Sequence, residues 1–478
     1  MPSPALAQRA PGLSTQRTSV CALLAVTCTV WLIVLLLFGD EFTELRLRQV
    51  AVIVIVSEVV IAVMVCRSDP RGTWGFPFLY LLVLIVFHSG LFLSPALFGR
   101  LPDALQHPSS NWFSDVVANR AGYLVCIAIA CYGIGYAASR LLPTAGAAGS
   151  EEKEVTGRRL AFRAGIVDVG ACLTVASVFL WFVFSLSNAG MLFFLGSYLT
   201  YLASTSLAPL PWVYLAMSLG VTFAALDLQR GTAKAAVVAF ALFAVPAFLI
   251  GLRGEVLFPA VAVIGVLGCS HRLWRARVFW GVAALALIAI SFVGQVRVQG
   301  VSNVSQVVSS PVGAIEEMGY SIRPLVASVR WHEYGQQPYL HGATYLAPVD
   351  RQLRGLLGLP VPPALDDERL MNVEISRREG AIGGSVIAEA HHNGGLVGVG
   401  AVMMVVGALM GLIFRHPRSP LGVALSGLVA VLVLMHIRNS FAPLPAWAAA
   451  GIGIVGAAYL LGLLRSTHGR GRRSMGPR

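Results

Sequence analysis

Charge is scarce in this chain. Only 12% of its 478 residues are Asp, Glu, Lys or Arg, against 56% hydrophobic. Soluble domains carry about 25% charged residues, so a water-soluble globule is excluded for most of the length. Cysteine is sparse too: Cys21, Cys28, Cys66, Cys126, Cys131, Cys172 and Cys269 all lie within or at the edges of apolar stretches. Neither CxxC nor HEXXH occurs, so no disulfide framework and no zinc site of those kinds is expected. Tandem repeats are also lacking. A net charge of +12 would suit nucleic acid if it formed one surface, but the excess Arg and Lys sits in short clusters between apolar runs. Nucleic acid is not an expected partner, and neither metal nor cofactor is implied.

What is present is a series of apolar runs of the length that crosses a bilayer, about 18 residues or more. The spans read as Val20–Phe38, Val50–Val65, Phe76–Leu97, Ala121–Ala138, Ile166–Leu186, Pro211–Leu226, Ala235–Leu252, Val256–Ser270, Val278–Val293, Leu396–Phe414, Leu421–His436 and Ala446–Leu464. This predicts an all-α, polytopic membrane protein of about twelve spans, compatible with a GT-C-like arrangement. The first span follows a basic N-terminus and meets Gly39-Asp40-Glu41 without a small-x-small cleavage site, which reads as an uncleaved anchor. Three regions follow: residues 1–294 with nine spans, a polar stretch at 295–395, and residues 396–478 with three spans and a basic tail.

Alternate connections hold nearly all the short basic clusters, among them Arg67 and Arg71, Arg158, Arg159 and Arg163, and Arg272, Arg275 and Arg277. Such clusters stay cytoplasmic. The expectation is a multi-pass plasma-membrane protein with both termini inside and the polar stretch outside. Gly190–Leu199 has the length of an interfacial or re-entrant segment. Thr144–Gly157 reads as a flexible connector, and Gly407 and Gly411 as a close helix contact.

Function is sought in the polar stretch, which is long, mixed in charge and rich in Arg, His, Glu, Tyr and Trp. Arg253, beside Glu255 in a tight turn between two spans, could snorkel to headgroups. Equally, its planar fork could grip a lipid-linked phosphate or diphosphate. Arg377-Arg378 precede Gly380 and Gly383-Gly384, where backbone could approach an anion. Glu389, His391, His392 and Asn393 stand directly before a span. If residues 385–392 are helical, Ser385, Glu389 and His392 share a face, and an acid or imidazole there could serve as general base. Polar anchoring at the membrane boundary is the alternative. Trp331, Tyr334, Tyr339 and Tyr345 suit sugar stacking or an aromatic belt.

The order Gly251-Leu252-Arg253-Gly254-Glu255, Glu317-Met318-Gly319-Tyr320-Ser321, His341-Gly342-Ala343-Thr344-Tyr345-Leu346 and Gly384-Ser385-Val386-Ile387-Ala388-Glu389-Ala390-His391-His392-Asn393-Gly394-Gly395 resembles the O-antigen polysaccharide polymerases of the Wzy type, also described as oligosaccharide repeat-unit polymerases. The resemblance is best from about Ala247 to Gly400, and departs from the family in carrying His391 and Gly394 where aromatic residues are usual. It implies a metal-independent membrane glycosyltransferase. Such an enzyme moves a growing glycan from undecaprenyl diphosphate to the non-reducing end of a new lipid-linked repeat unit. Its partners would be those lipid-linked oligosaccharides and membrane lipids, with room for a chain-length regulator. It further implies Arg253, with Arg297 or Arg378, at the diphosphate, and Glu389 or His392 as base. Arg377, Glu255, His391, Asn393 and Tyr345 would contact substrate.

Three other readings compete. A polyprenyl-phosphate-sugar glycosyltransferase would use Asp40 or Glu41, and an O-antigen ligase is a near relative. A flippase would need charges buried mid-span, for which Asp168 is the candidate.

Overall fold

Helix is the only regular structure among the described residues, as it must be where a chain satisfies its own backbone inside hydrocarbon without closing a barrel. The computed structural model describes residues 12–102, 105, 112–113, 115–143, 155–190, 201, 204–205, 209–270, 276–299, 310–415 and 419–473. In chain order the α-helices are α1 (Gly12–Leu37), α2 (Gly39–Glu44), α3 (Leu47–Ser68), α4 (Phe76–Ser89), α5 (Leu93–Phe98), α6 (Asp115–Leu141), α7 (Val155–Ala189), α8 (Leu210–Ala224) and α9 (Gly231–Ile250). There follow α10 (Arg253–Ser270), α11 (Ala276–Gln299), α12 (Pro311–Gly319), α13 (Arg323–Val329), α14 (Ala343–Leu356), α15 (Met371–Glu379), α16 (Val386–Ile413), α17 (Pro420–Arg438) and α18 (Leu444–Arg473).

Ten stretches among the described residues are long and apolar enough to cross a membrane, against about twelve expected. The two expected spans outside these ten fall on α10 and α11, whose side chains are described only as far as Cys269 and Ser291. Within the polar stretch, α12 to α15 and the start of α16 are helical. The segment expected to be re-entrant, the connector at 144–154 and the Arg297 side chain lie outside the described residues.

The chain forms two compact units, each assembled from separate pieces. Unit one comprises Met1–Gly146, Met318–Thr344 and Val373–Arg415; unit two comprises Ala147–Glu317, Tyr345–Asn372 and His416–Arg478. In unit one, α16 lies along α6. A Cβ on Gly135 would strike the Met404 carbonyl, and one on Gly407 the Tyr132 carbonyl. Small residues thus let two backbones touch, the packing expected of Gly407 and Gly411. In unit two, α7 packs against α8, α9 and α18. Trp181 is its buried centre, set edge-on to Phe243 at 4.8 Å and donating its indole N–H to Tyr214 at 3.2 Å.

Leu36, Leu37, Val56, Val59, Val238, Leu242 and Val245 are exposed. In water such stripes would turn inward; hydrocarbon is the solvent they fit. The chain is an integral membrane protein.

The mid-span charge is not the one expected. Asp168 is ion-paired with Arg230 at 3.2 Å and accepts from Thr232 at 3.0 Å. The acid buried in the middle of a span is Glu58 on α3, which accepts a hydrogen bond from Ser89. The apolar run around Glu58 hides it from a reading that looks for polar clusters.

Candidate active site

Ser385 starts α16. Its backbone is extended, and its hydroxyl caps the helix by accepting from the Ala388 N–H at 3.2 Å, as an N-cap serine does. His88 donates from Nδ1 to the Leu84 carbonyl at 3.0 Å, so its Nε2 can only accept, and the Ser385 hydroxyl lies 2.7 Å away. The helix runs to Asn393 and breaks at Gly394-Gly395 before the apolar run resumes. Glu389, His391, His392 and Asn393 all sit on this short first segment and are buried.

The two neighbouring histidines face different partners. His391 holds Ser328 at 2.9 Å through Nδ1 and Glu333 at 3.1 Å through Nε2. A neutral ring satisfies both if Nε2–H donates to the carboxylate and Nδ1 accepts from the serine. Arg120 grips the other Glu333 oxygen at 2.6 Å. Burial would raise the Glu333 carboxyl, yet His391 and Arg120 together hold it below the ordinary glutamate value. Both ring nitrogens of His391 thus have a partner.

His392 belongs to a second chain. His332 Nδ1 lies 2.9 Å from the Gln337 carbonyl, which can only accept, so the proton is on Nδ1. His332 Nε2 must then accept from His392 Nδ1–H at 2.7 Å. His392 Nε2 stands 2.8 Å from Glu374, an ion-pair contact too bent to be a good hydrogen bond. Three contacts are therefore served by two ring protons. One more proton would make an imidazolium facing the Glu374 carboxylate. Burial lowers His332. Glu374, which burial would raise, is held below its ordinary value by His392 and then by Arg378.

Arg378 completes this wall. It pairs with Glu374 at 2.8 Å, donates to the Gln337 side chain at 2.7 Å and lies over the Trp331 ring at 5.0 Å. Trp331 meets His392 edge-on at 5.7 Å, and Tyr339 stacks on His332 at 4.7 Å. Arg377 is exposed on α15, and Tyr334 is the exposed aromatic of the group.

Asn393 is a strap. Its Oδ1 accepts from the N–H groups of Gly342 at 3.0 Å and Thr344 at 3.3 Å. Its Nδ2 donates to Thr344 Oγ1 at 2.6 Å and the Glu389 carbonyl at 2.8 Å. Gly395 follows with φ +58, and a Cβ there would meet the Tyr339 ring at 2.9 Å. Gly395→Ala is therefore expected to lower the thermal unfolding midpoint in detergent, with about 1–3 kcal/mol of backbone strain plus the clash. An unchanged midpoint would show that the break at Gly394-Gly395 is not held by Tyr339.

In unit two, Arg253 is 5% exposed at the start of α10. It is ion-paired with Glu317 at 2.8 Å, and its buried Nε has no hydrogen-bond acceptor among the described residues. The Arg438 guanidinium lies beside Gly254, because α17 packs on α10. Glu255 is half-buried in the same first turn, and Tyr345 packs edge-on to Phe441 at 5.2 Å. Asp40 and Glu41 are exposed on the short α2.

Of the expected residues, Glu389, His391, His392, Asn393 and Arg378 gather in unit one, while Arg253, Glu255 and Tyr345 belong to unit two. Sequence reasoning missed Ser328, His332, Glu333, Glu374, Arg120, Glu317 and Arg438 as site residues. Arg330-Trp331-His332-Glu333-Tyr334 is as dense in polar and aromatic groups as Glu389–Asn393. That density was the available signal, but an acid far along the chain cannot be matched to its histidine without the fold.

These features define a multi-span helical membrane protein that carries buried acid–base chains and a buried cation. Residues 22–461 match the family described as O-antigen polysaccharide polymerase Wzy, and the chain belongs to that family. Protein CapE of Staphylococcus aureus is 25% identical over 232 residues, 48% of this chain and 51% of the relative, so the similarity spans about half of each. No solved structure matches.

Proposed function

We propose that this chain polymerises lipid-diphosphate-linked oligosaccharide repeat units into a surface polysaccharide on the outer face of the membrane. The growing glycan leaves its undecaprenyl diphosphate and joins the non-reducing end of a new lipid-linked unit. The observation that carries the reading is Arg253, a buried cation with an unfilled Nε donor and a second arginine, Arg438, beside Gly254. A buried donor without a partner is rare and calls for an acceptor from elsewhere, and this reading assigns that place to the diphosphate of the lipid-linked substrate. The outward orientation rests on the alternation of basic clusters.

In the reaction, the acceptor hydroxyl oxygen bonds to the anomeric carbon and the carbon–oxygen bond to the diphosphate breaks. The hydroxyl proton is taken up by the His392–His332 chain, and Glu374 stabilises the imidazolium. Arg253 and Arg438 offset the charge on the departing diphosphate, the role a metal ion would otherwise fill. His391 is a positioning residue, tied to Glu333 and Ser328. Glu389 contributes its carbonyl to Asn393 and is the alternative base.

The test is to incubate the purified protein with a lipid-diphosphate-linked repeat unit from its own host, with and without a metal chelator, and to resolve products by size. A ladder spaced by whole repeat units, unchanged by chelator, is the expected result. Loss of the ladder with chelator would remove the metal-independent mechanism. Single-sugar additions from a polyprenyl-phosphate donor, or transfer only to a lipid A core, would replace polymerase by glycosyltransferase or ligase.

A further inference from the structure

The sides of α14 are reversed relative to a helix on a water-facing surface. Ala347 and Pro348 face inward and are buried, with Arg351 partly buried beside them. The opposite face should be polar in water. Instead it carries Leu346 (68% exposed), Val349 (40%), Leu353 (54%) and Leu356 (83%), at the i, i+3, i+7, i+10 spacing of one stripe. Leu357, Leu359 and Leu365 extend the exposed apolar surface beyond the helix.

The nearby charges are bound to one another. Arg354 and Arg369 reach Asp350 at 2.9 and 3.2 Å, and Arg369 and Arg351 reach Asp367 at 2.9 and 3.2 Å. Hydrogen bonds from Arg369, and then from Arg351, bring Asp367 down to about 2. The network therefore stays ionised along one edge of an apolar stripe.

We infer that α14 lies in the interfacial zone of the bilayer, with Leu346, Val349, Leu353 and Leu356 among the lipid chains and the Asp350–Arg354 edge at headgroup level. Its position supports lipid as the occupant. Tyr345 packs on Phe441, and Ser440 meets Asn372 at 3.5 Å. Ser440 and Phe441 form the turn between α17 and α18, both of which contribute membrane spans, so α14 starts at the level where spans end. The composition points the same way. Protein interfaces concentrate binding in Tyr, Trp and Arg, with Leu under-represented, whereas an aliphatic stripe edged by charge is the form of an interfacial membrane helix. This inference is independent of the proposed reaction.

Full-length protein with its seven native cysteines replaced would be given single nitroxide labels through Leu346→Cys, Val349→Cys, Leu353→Cys, Leu356→Cys and Arg354→Cys. It would then be placed in vesicles of phosphatidylethanolamine and phosphatidylglycerol. Collisions with oxygen and with a water-soluble nickel chelate are read for each label in protein that elutes as the unlabelled chain does. The four apolar positions should favour oxygen and Arg354→Cys the nickel chelate. High nickel access along the stripe would mean that it faces water. Low access to both reagents would mean that a second copy covers it. Either result overturns the inference, and should one variant fail to fold, the remaining stripe positions still decide it.

Discussion

Replacing Arg253 by Ala is expected to abolish the repeat-unit ladder while the protein remains folded. A preorganised cation aimed at charge that develops on a leaving group is worth about 10²–10³-fold in rate when removed, more than any other single change in unit two should cost. The competing explanation is structural, since Arg253 pairs with Glu317. Breaking a fully buried pair would cost about 3–5 kcal/mol. The Glu317 side chain, however, is 32% exposed, so water can take over part of the charge and the cost falls towards about 1 kcal/mol. Glu317→Gln separates the two roles. If Arg253 serves only to hold Glu317, this variant should lose as much activity as Arg253→Ala. If Arg253 binds diphosphate, removing its competing carboxylate should keep the ladder and lower KM for the lipid-linked unit. Arg253→Lys should recover only part of the rate, because an ammonium cannot reproduce the planar fork.

How far the sequence foretells this site depends on how local each feature is. Apolar runs are continuous in the chain, so the spans on α1 to α9 and α16 to α18 are legible from hydropathy alone. The same holds for the helix start at Ser385: a serine followed by Val386-Ile387-Ala388-Glu389 carries its own cap and first-turn acid. Gly407 and Gly411 also read correctly, because their spacing is itself the packing signal. The acid–base pairings are different. Glu333 precedes His391 by 58 residues and Arg120 precedes Glu333 by 213, and nothing in the local pattern says which carboxylate meets which ring. Adjacent histidines at the end of a polar stretch look equivalent on paper. Only the carbonyl of Gln337 and the carboxylates of Glu333 and Glu374 tell apart a ring tied to a serine and an acid from one tied to a second histidine and an acid. Glu58 shows the converse failure, a lone acid in an apolar run whose partner Ser89 comes from another helix.

That asymmetry makes the second large prediction. His392→Gln should lower kcat by about 10²–10⁴-fold, the usual range for a positioned general base, whereas His391→Gln should act mainly through the placement of Ser328 and Glu333. The discriminating variant is Glu374→Gln. Uptake of the acceptor proton requires the chain to start one proton short, so kcat should rise with pH along an acid limb. The Glu374 carboxylate favours the imidazolium. Its amide would weaken the base and move that limb to lower pH, by about one unit for about 1.4 kcal/mol of lost interaction, with a lower plateau. A purely structural His392 would lose rate at every pH and leave the limb where it was. Unfolding cannot imitate the shift. Glu333 and Glu374 are held below their ordinary values in the fold, so they add stability above the ordinary carboxylate range and lose it as pH falls through their lowered values. The acid unfolding they cause begins in the carboxylate range. A thermal midpoint that stays level through the limb, while kcat falls across it, would therefore place the titration in the reaction rather than in the fold.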